Sequence, residues 1–193
     1  MNANIDPSMM VIALLIIVLL AVAMWLQFRK RESHTLERHF GPEYRRTVDE
    51  LGSRPKAEAE LKARQKRVEQ LEIVPLAPAE ADRFSDSWRA LQARFVDNPK
   101  GVLAEADKLV RELMQKRGYP MGDFERRAAD ISVHYPTVVD HYRAAHDIAL
   151  RDERGEVDTE GMRQAVIHYR ALFAELLEVQ PPPAREGKLE AQS

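Results

Sequence analysis

The 193-residue chain has no cysteine and only 8 glycines. Without cysteine it can form no disulfide, no thiolate nucleophile and no cysteine-ligated zinc site. The glycine-rich phosphate-binding patterns Gly-x-Gly-x-x-Gly and Gly-x-x-x-x-Gly-Lys-Ser/Thr do not occur in the sequence. The sequence therefore argues against a disulfide scaffold and a glycine-loop nucleotide-binding enzyme, and we predict no cofactor.

The chain also lacks an excess of positive charge. Its formal net charge is −2, and residues 73–193 carry 17 Lys/Arg against 21 Asp/Glu, a net of −4. Residues 27–72 carry 12 Lys/Arg against 9 Asp/Glu, a net of +3. Nucleic-acid binding depends on neutralising phosphates with a clustered basic surface. We predict that nucleic acid is not a partner of this chain.

Charge is missing altogether from residues 9–26, MMVIALLIIVLLAVAMWL. As a helix, this run would be roughly 27 Å long, close to the roughly 30 Å hydrocarbon core of a bilayer. We predict a transmembrane helix over residues 9–28. One alternative is a cleaved signal peptide, since Ala21-Val22-Ala23 mimics a cleavage site, but no Lys or Arg precedes the run. Another is a buried core helix, for which the remaining chain is too polar.

The charges beside this run predict an orientation. Positively charged residues are retained on the cytoplasmic side, and they occur here only after the run, at positions 29–31. We therefore predict a single-pass inner-membrane protein with residues 1–8 outside, the C-terminal domain in the cytoplasm, and the lipid bilayer as a partner. Aromatic and basic side chains favour the headgroup level. The predicted membrane-interface residues are Trp25, Phe28, Arg29, Lys30 and Arg31.

The rest of the chain shows helical periodicity, so the predicted fold class is all-α. A charged, basic helical stalk covers residues 29–72, with breaks at Gly41-Pro42 and Gly52. Its apolar stripe is thin, which favours a solvated helix; a two-stranded coiled coil, and hence a homo-oligomer through the stalk, is the alternative. The two prolines of residues 73–78 predict a linker. A helical bundle domain over 79–178 and a disordered tail over 179–193 follow.

The bundle is predicted from the spacing of large apolar residues and from capping residues. Phe84, Trp88, Leu91 and Phe95 recur at helical spacing, so we expect a core centred on Trp88 in a domain, 78–178, that folds alone. The helix-start signals are Asn98 before Pro99, Asp123, Pro136 and Asp158.

Six short motifs are spread along the chain after the apolar run. They are Phe40-Gly41-Pro42-Glu43-Tyr44, residues 92–97 (QARFVD), Arg117-Gly118-Tyr119-Pro120, residues 124–130 (FERRAAD), residues 142–146 (YRAAH) and residues 168–173 (HYRALF). Together they resemble an uncharacterised family of small bacterial single-pass membrane-anchored proteins with a helical domain. The resemblance runs from about residue 36 to residue 178 and implies an anchor and a helical domain, but no activity. The chain has His134-Tyr135 where the family pattern has Asp-His before the proline.

No catalytic or metal-binding constellation is complete. Asp130 and His134 share a helix face, but His141 and His146 diverge by about 140° around a helix of about 3.6 residues per turn. The serines lack the Gly-x-Ser-x-Gly elbow. We predict no metal site and no catalytic residue, and interpret His168 as a hydrogen-bonded boundary histidine.

Arginines interleaved with tyrosines are the remaining candidates for binding. Such a set could hold carboxylates bidentately, or could simply pair with neighbouring acidic residues. We expect the chain to be a membrane-tethered cytoplasmic helical domain that acts as a protein-interaction or scaffold module. The alternative is an enzyme or small-ligand receptor with a pocket lined by Arg127, Asp130, Tyr142, His146 and His168. The candidate contact residues are Arg94, Arg127, Tyr142, Arg143, His146, His168 and Arg170.

Overall fold

The computed structural model describes residues 7–177, and the side chains of that range except those of 7–13, 25, 26 and 29. These residues form helices and no β-strand, so the all-α prediction is confirmed. The predicted disordered tail, 179–193, and most of the predicted outer segment, 1–8, lie outside the described residues. The helices are α1 Pro7–Phe40, α2 Pro42–Leu51, α3 Arg54–Val68, α4 Pro78–Ala93, α5 Pro99–Lys116, α6 Phe124–His134, α7 Val139–Glu153 and α8 Thr159–Leu176.

The predicted transmembrane helix is wrong. Across the part of the chain that the structure describes, no helix combines the length and the apolar content that crossing a bilayer requires. Helix α1 continues through the charged segment to Phe40.

Two further predictions depended on that span. The single-pass inner-membrane location, with an outer N-terminus and a cytoplasmic C-terminal domain, is wrong for the same reason. The interface role of Trp25, Phe28, Arg29, Lys30 and Arg31 loses its support. All five positions lie within α1, where Phe28 is 64 % exposed.

The chain divides into two compact units, Met1–Ala63 (the N-terminal unit) and Arg64–Ser193 (the C-terminal unit). In the N-terminal unit, Gly41 has a φ of 50° between α1 and α2, and Gly52 ends α2 in a left-handed conformation with a φ of 67°. Both breaks confirm the prediction from the Gly-Pro and Gly signals. Inside this unit the Glu58 carboxylate accepts hydrogen bonds from Ser33 Oγ at 2.6 Å and from the Tyr44 hydroxyl at 2.9 Å.

The core of the C-terminal unit forms mainly where α8 packs against α5 and α7, with α4 covering α5. The helices meet through apolar faces at the spacing that the sequence predicts. Trp88 on α4 is 5 % exposed and stacks on Phe173 of α8, with ring centroids 4.5 Å apart. The buried residues of α5 and α8 are Val102, Leu103, Ala106, Val110, Leu113, Met114, Ala165, Val166, Tyr169, Leu172, Phe173 and Leu176.

Capping side chains fix the starts of three helices. The side chains of Asn98, Asp123 and Asp158 accept the backbone N–H of Gly101, Arg126 and Gly161 at 2.8–3.0 Å. These caps confirm three of the predicted helix starts. The start predicted at Pro136 is wrong, because the carbonyl of Tyr135 accepts the N–H groups of both Val138 and Val139. That bonding makes a turn, and α7 begins only at Val139.

Candidate functional site

The C-terminal unit has an open cleft of about 770 Å³ beside the segment that joins α3 to α4. We call it the linker cleft. Its apolar wall comes from the end of α3 and the linker, and its polar wall comes from the ends of α5, α6 and α8. The lining residues are Val68, Glu69, Leu71, Ile73, Pro75, Arg117, His134, Tyr135 and Glu175.

Arg117 organises the polar wall of the linker cleft. It follows the last residue of α5 and is 3 % exposed. Its Nε donates to the Val74 carbonyl at 3.0 Å, and its Nη1 donates to the Tyr135 hydroxyl at 2.7 Å and to the Leu176 carbonyl at 3.2 Å. A guanidinium offers five donors in a fixed fork, so one side chain can join three separate segments. Arg117 therefore holds the linker and the end of α8 around the cleft.

Glycine is required next to this arginine. Gly118 has a φ of 94°, and a Cβ built there would lie 2.3 Å from the Glu72 carbonyl oxygen. The Val74 N–H donates to the Arg117 carbonyl at 3.0 Å. The backbone of the linker thus approaches the end of α5 more closely than any side chain at position 118 would allow.

Two carboxylates on the cleft wall are available to a ligand. Glu69 and Glu175 are exposed, and neither has an ion-pair partner among residues 7–177. Beside them, the Tyr119 hydroxyl and His134 Nδ1 lie 2.8 Å apart and share a hydrogen bond. The linker cleft therefore presents two exposed carboxylates next to the half-buried apolar residues Leu71, Ile73 and Pro75.

Three of the predicted contact residues meet between α6 and α7. Arg127 Nε donates to the Tyr142 hydroxyl at 3.1 Å, and Arg127 Nη1 also donates to the Gly122 carbonyl. The His146 ring stacks on Phe124, with centroids 3.6 Å apart. Burial raises the pKa of the Tyr142 hydroxyl and lowers the pKa of the His146 imidazole. Both groups are therefore neutral near pH 7, in a packed layer of rings.

The other members of the predicted pocket lie elsewhere. His168 faces His141 across α7 and α8, with the two Nδ1 atoms 2.8 Å apart. Burial, and then the neighbouring His141, lower the pKa of His168. Asp130 is fully buried; its Oδ1 accepts a hydrogen bond of 2.8 Å from Arg67 Nε and forms an ion pair with Arg67 Nη2, also at 2.8 Å. The five residues of the predicted pocket therefore occupy three separate local environments.

The predicted arginine contacts lie in different surroundings as well. Arg94 donates to both carboxylate oxygens of Glu105, at 3.1 and 2.5 Å, while Arg143 pairs with Glu125 at 2.7 Å. Arg170 is exposed on α8. Pairing with nearby acids is the interpretation of the arginine set that the sequence favours over ligand binding. As contact residues for a partner, all seven candidates stay a prediction.

Sequence reasoning missed the linker cleft and its main residues. Arg117, Glu69 and Glu175 carry no local motif of their own, since their roles come from segments far apart in sequence. One signal did exist in Arg117-Gly118-Tyr119-Pro120, where an arginine precedes a glycine just after an apolar helix. Asp130 and His134 share α6, but Asp130 pairs with Arg67 and His134 shares a hydrogen bond with Tyr119. No group of three or more His, Cys, Asp and Glu residues suited to a metal occurs among the described residues.

No protein-family model matches the chain, and no match of significance was found among curated proteins or among solved structures. The proposals that follow therefore rest on the residues of this chain alone.

Proposed function

We propose that the C-terminal unit is a protein-interaction module whose linker cleft binds a peptide segment of a partner protein. The segment carries a Lys or Arg flanked by apolar side chains. The observation behind this proposal is the pairing of two free carboxylates, Glu69 and Glu175, with an adjoining apolar wall in one open cleft.

Charge complementarity supports a basic occupant. The arginine of the cleft, Arg117, is buried and donates to acceptors of the unit itself, whereas Glu69 and Glu175 are exposed, so two carboxylates outnumber one guanidinium on the cleft wall. A cationic side chain between them would gain charge-assisted hydrogen bonds. Opposite charge across an interface also selects the partner and accelerates association.

The shape of the cleft supports a peptide. A volume of about 770 Å³ falls within the roughly 300–1,000 Å³ typical of ligand sites. The cleft is open, and its apolar wall consists of Val68, Leu71, Ile73 and Pro75. Several consecutive side chains of an extended segment fit such a surface. Bonding by Arg117 holds the linker in place before a partner arrives, which lowers the entropic cost of binding.

The proposal is tested by selecting peptides from a random display library on the full chain and measuring their affinities by calorimetry. Selected sequences are expected to contain Lys or Arg next to apolar residues. The double variant Glu69→Gln with Glu175→Gln is expected to weaken binding about tenfold or more, since truncating a close charge pair often costs upward of about 1.5 kcal/mol. Ile73→Ser should weaken it as well.

The matched control changes the net charge of the chain by the same amount as the Glu69/Glu175 double variant does. Asp82→Asn with Asp97→Asn neutralises two exposed carboxylates that do not line the linker cleft and have no ion-pair partner among the described residues. Its affinity for the selected peptides should equal that of the unmodified chain. Equal affinities for the control and the Glu69/Glu175 variant, or selected peptides without basic residues, would refute the proposal.

A further inference from the structure

His141 on α7 and His168 on α8 face each other outside both the linker cleft and the apolar core. His141 is exposed on α7 and His168 is half-buried on α8. Their Nδ1 atoms are 2.8 Å apart, and their ring planes are inclined by 33° with centroids 5.1 Å apart. Because α7 packs extensively on α8, the packing of the two helices fixes the separation of the two imidazoles.

The separation of the two nitrogens matches a chelating pair. Metal–imidazole bonds are about 2.0–2.1 Å long, so two ligands at about 90° to each other have nitrogens about 2.8–3.0 Å apart. Two ligands at the tetrahedral angle would need a separation of about 3.3 Å. The observed 2.8 Å therefore suits adjacent positions of a square or tetragonal ion, a geometry typical of Cu²⁺ and Ni²⁺.

We propose that His141 and His168 form a bidentate site for a divalent transition-metal ion, with Cu²⁺ preferred over Ni²⁺ and Zn²⁺. The preference follows from the square geometry and from the general order of divalent affinities, which peaks at Cu²⁺. As the ion binds, the proton that the two Nδ1 atoms share moves to the Nε2 atom of its own ring, so that both rings ligate through Nδ1 as neutral imidazoles. Water fills the remaining positions, since the described residues supply no group of three or more metal-ligating side chains.

Binding requires only a small rearrangement. In the hydrogen-bonded pair, a ring nitrogen points at its partner, whereas in a chelate both lone pairs converge on an ion about 2 Å from each nitrogen. The rings must turn outward by up to about 45°, and the final side-chain torsion of histidine is soft. The exposure of His141 leaves room for that rotation. The ion then joins α7 to α8, independently of the linker cleft.

Cu²⁺ titration of the full chain, followed by calorimetry and electron paramagnetic resonance, tests the site. One Cu²⁺ per chain is expected at the tightest site, with hyperfine structure from two equivalent nitrogens and a rise in melting temperature that Mg²⁺ does not produce. His141→Gln and His168→Gln should each lower the Cu²⁺ affinity at least tenfold, because even residues that only support a ligand contribute about 10–100-fold.

His146→Gln is the matched control, since His146 is on α7 like His141 but stacks on Phe124 instead of facing another histidine. It should bind Cu²⁺ as the unmodified chain does. Circular dichroism checks that all three variants keep the helical content. A one-nitrogen spectrum, or equal Cu²⁺ affinity in the folded His141→Gln chain, would overturn the proposal and leave the pair as a hydrogen bond between two helices.

Discussion

Individual arginines determine much of the architecture of the C-terminal unit. Arg117 joins the linker to α8, Arg67 binds the buried Asp130, and Arg127 spans from Tyr142 to Gly122. A rigid guanidinium fork can satisfy several acceptors at once, which a lysine ammonium does less specifically. The side chains that looked most suited to ligand binding therefore have structural partners. On the wall of the linker cleft, by contrast, Glu69 and Glu175 have no ion-pair partner among residues 7–177.

Trp88 is the residue whose loss should damage the core most clearly. Its ring is 5 % exposed and stacks on Phe173. Truncating a buried aromatic residue costs about 3–5 kcal/mol, against about 5–15 kcal/mol for the whole free energy of unfolding of a domain. Trp88→Ala should therefore shift the urea unfolding midpoint strongly, as followed by circular dichroism.

Val96→Ala is the control for this measurement, because Val96 is 89 % exposed. Its free energy of unfolding should stay within about 0.5 kcal/mol of that of the unmodified chain. If Trp88→Ala were no more destabilising than Val96→Ala, the stacking on Phe173 would not contribute to the fold.

Among the connections between elements, the one after α5 is the most constrained. Gly118→Ala forces a Cβ to within 2.3 Å of the Glu72 carbonyl oxygen at a φ of 94°. Gly155→Ala, in the turn between α7 and α8, has a φ of 72° with nothing within 4 Å of the new Cβ. The left-handed conformation alone costs a residue with a Cβ about 1–2 kcal/mol.

We therefore expect Gly155→Ala to lose about 1–2 kcal/mol of unfolding free energy, and Gly118→Ala to lose clearly more. Urea titrations of both variants measure the difference. Gly118→Ala should also weaken the binding of peptides selected on the linker cleft, which Gly155→Ala should not do. Equal losses in the two variants would mean that the linker moves away from Gly118 without cost.

Helices were predictable from sequence wherever a local signal fixes them. Asn98, Asp123 and Asp158 accept nearby backbone N–H groups, and such caps act within three residues of the chain. The helix start predicted at Pro136 is wrong because proline is common both in turns and in the first turn of a helix. Here the Tyr135 carbonyl closes a turn. Local chemistry alone does not distinguish the two.

The candidate sites were not predictable, because their residues meet only in the folded unit. Arg67 and Asp130 are 63 residues apart, and His141 and His168 are 27 apart. Periodicity assigns each residue to a face of its own helix but does not determine which faces meet. The transmembrane prediction rests on the apolar composition of residues 9–26 alone, and among the described residues no helix is long and apolar enough to cross a bilayer.

At the scale of the whole molecule, the linker does not mark where the C-terminal unit can be cut. A fragment beginning at residue 78 lacks Arg67, which leaves the buried Asp130 without its cation, and lacks Leu76, which is 1 % exposed. Removing one partner of a buried ion pair costs about 3–5 kcal/mol. Fragment 54–193, with the whole of α3, should therefore unfold at a much higher urea concentration than fragment 78–193.

Asp130→Asn in fragment 78–193 separates the effect of losing Arg67 from the effect of losing Leu76. Neutralising the buried group should restore part of the lost stability, while the same change in fragment 54–193 should be destabilising because it breaks the pair with Arg67. Coincident unfolding curves for fragments 54–193 and 78–193 would show that α3 contributes nothing to the unit.

The position of α8 at the centre of the core also affects how the protein is made. α5 and α4 bury their apolar faces against a helix that ends at Leu176, long after Lys116 has been synthesised. At roughly 5–20 residues per second, translation from the end of α5 to the end of α8 takes roughly 3–12 s. During that interval Trp88 and the apolar face of α5 lack their partners on α8, although α4 and α5 can already pack against each other. The core of the unit therefore cannot be completed until the last helix has left the ribosome.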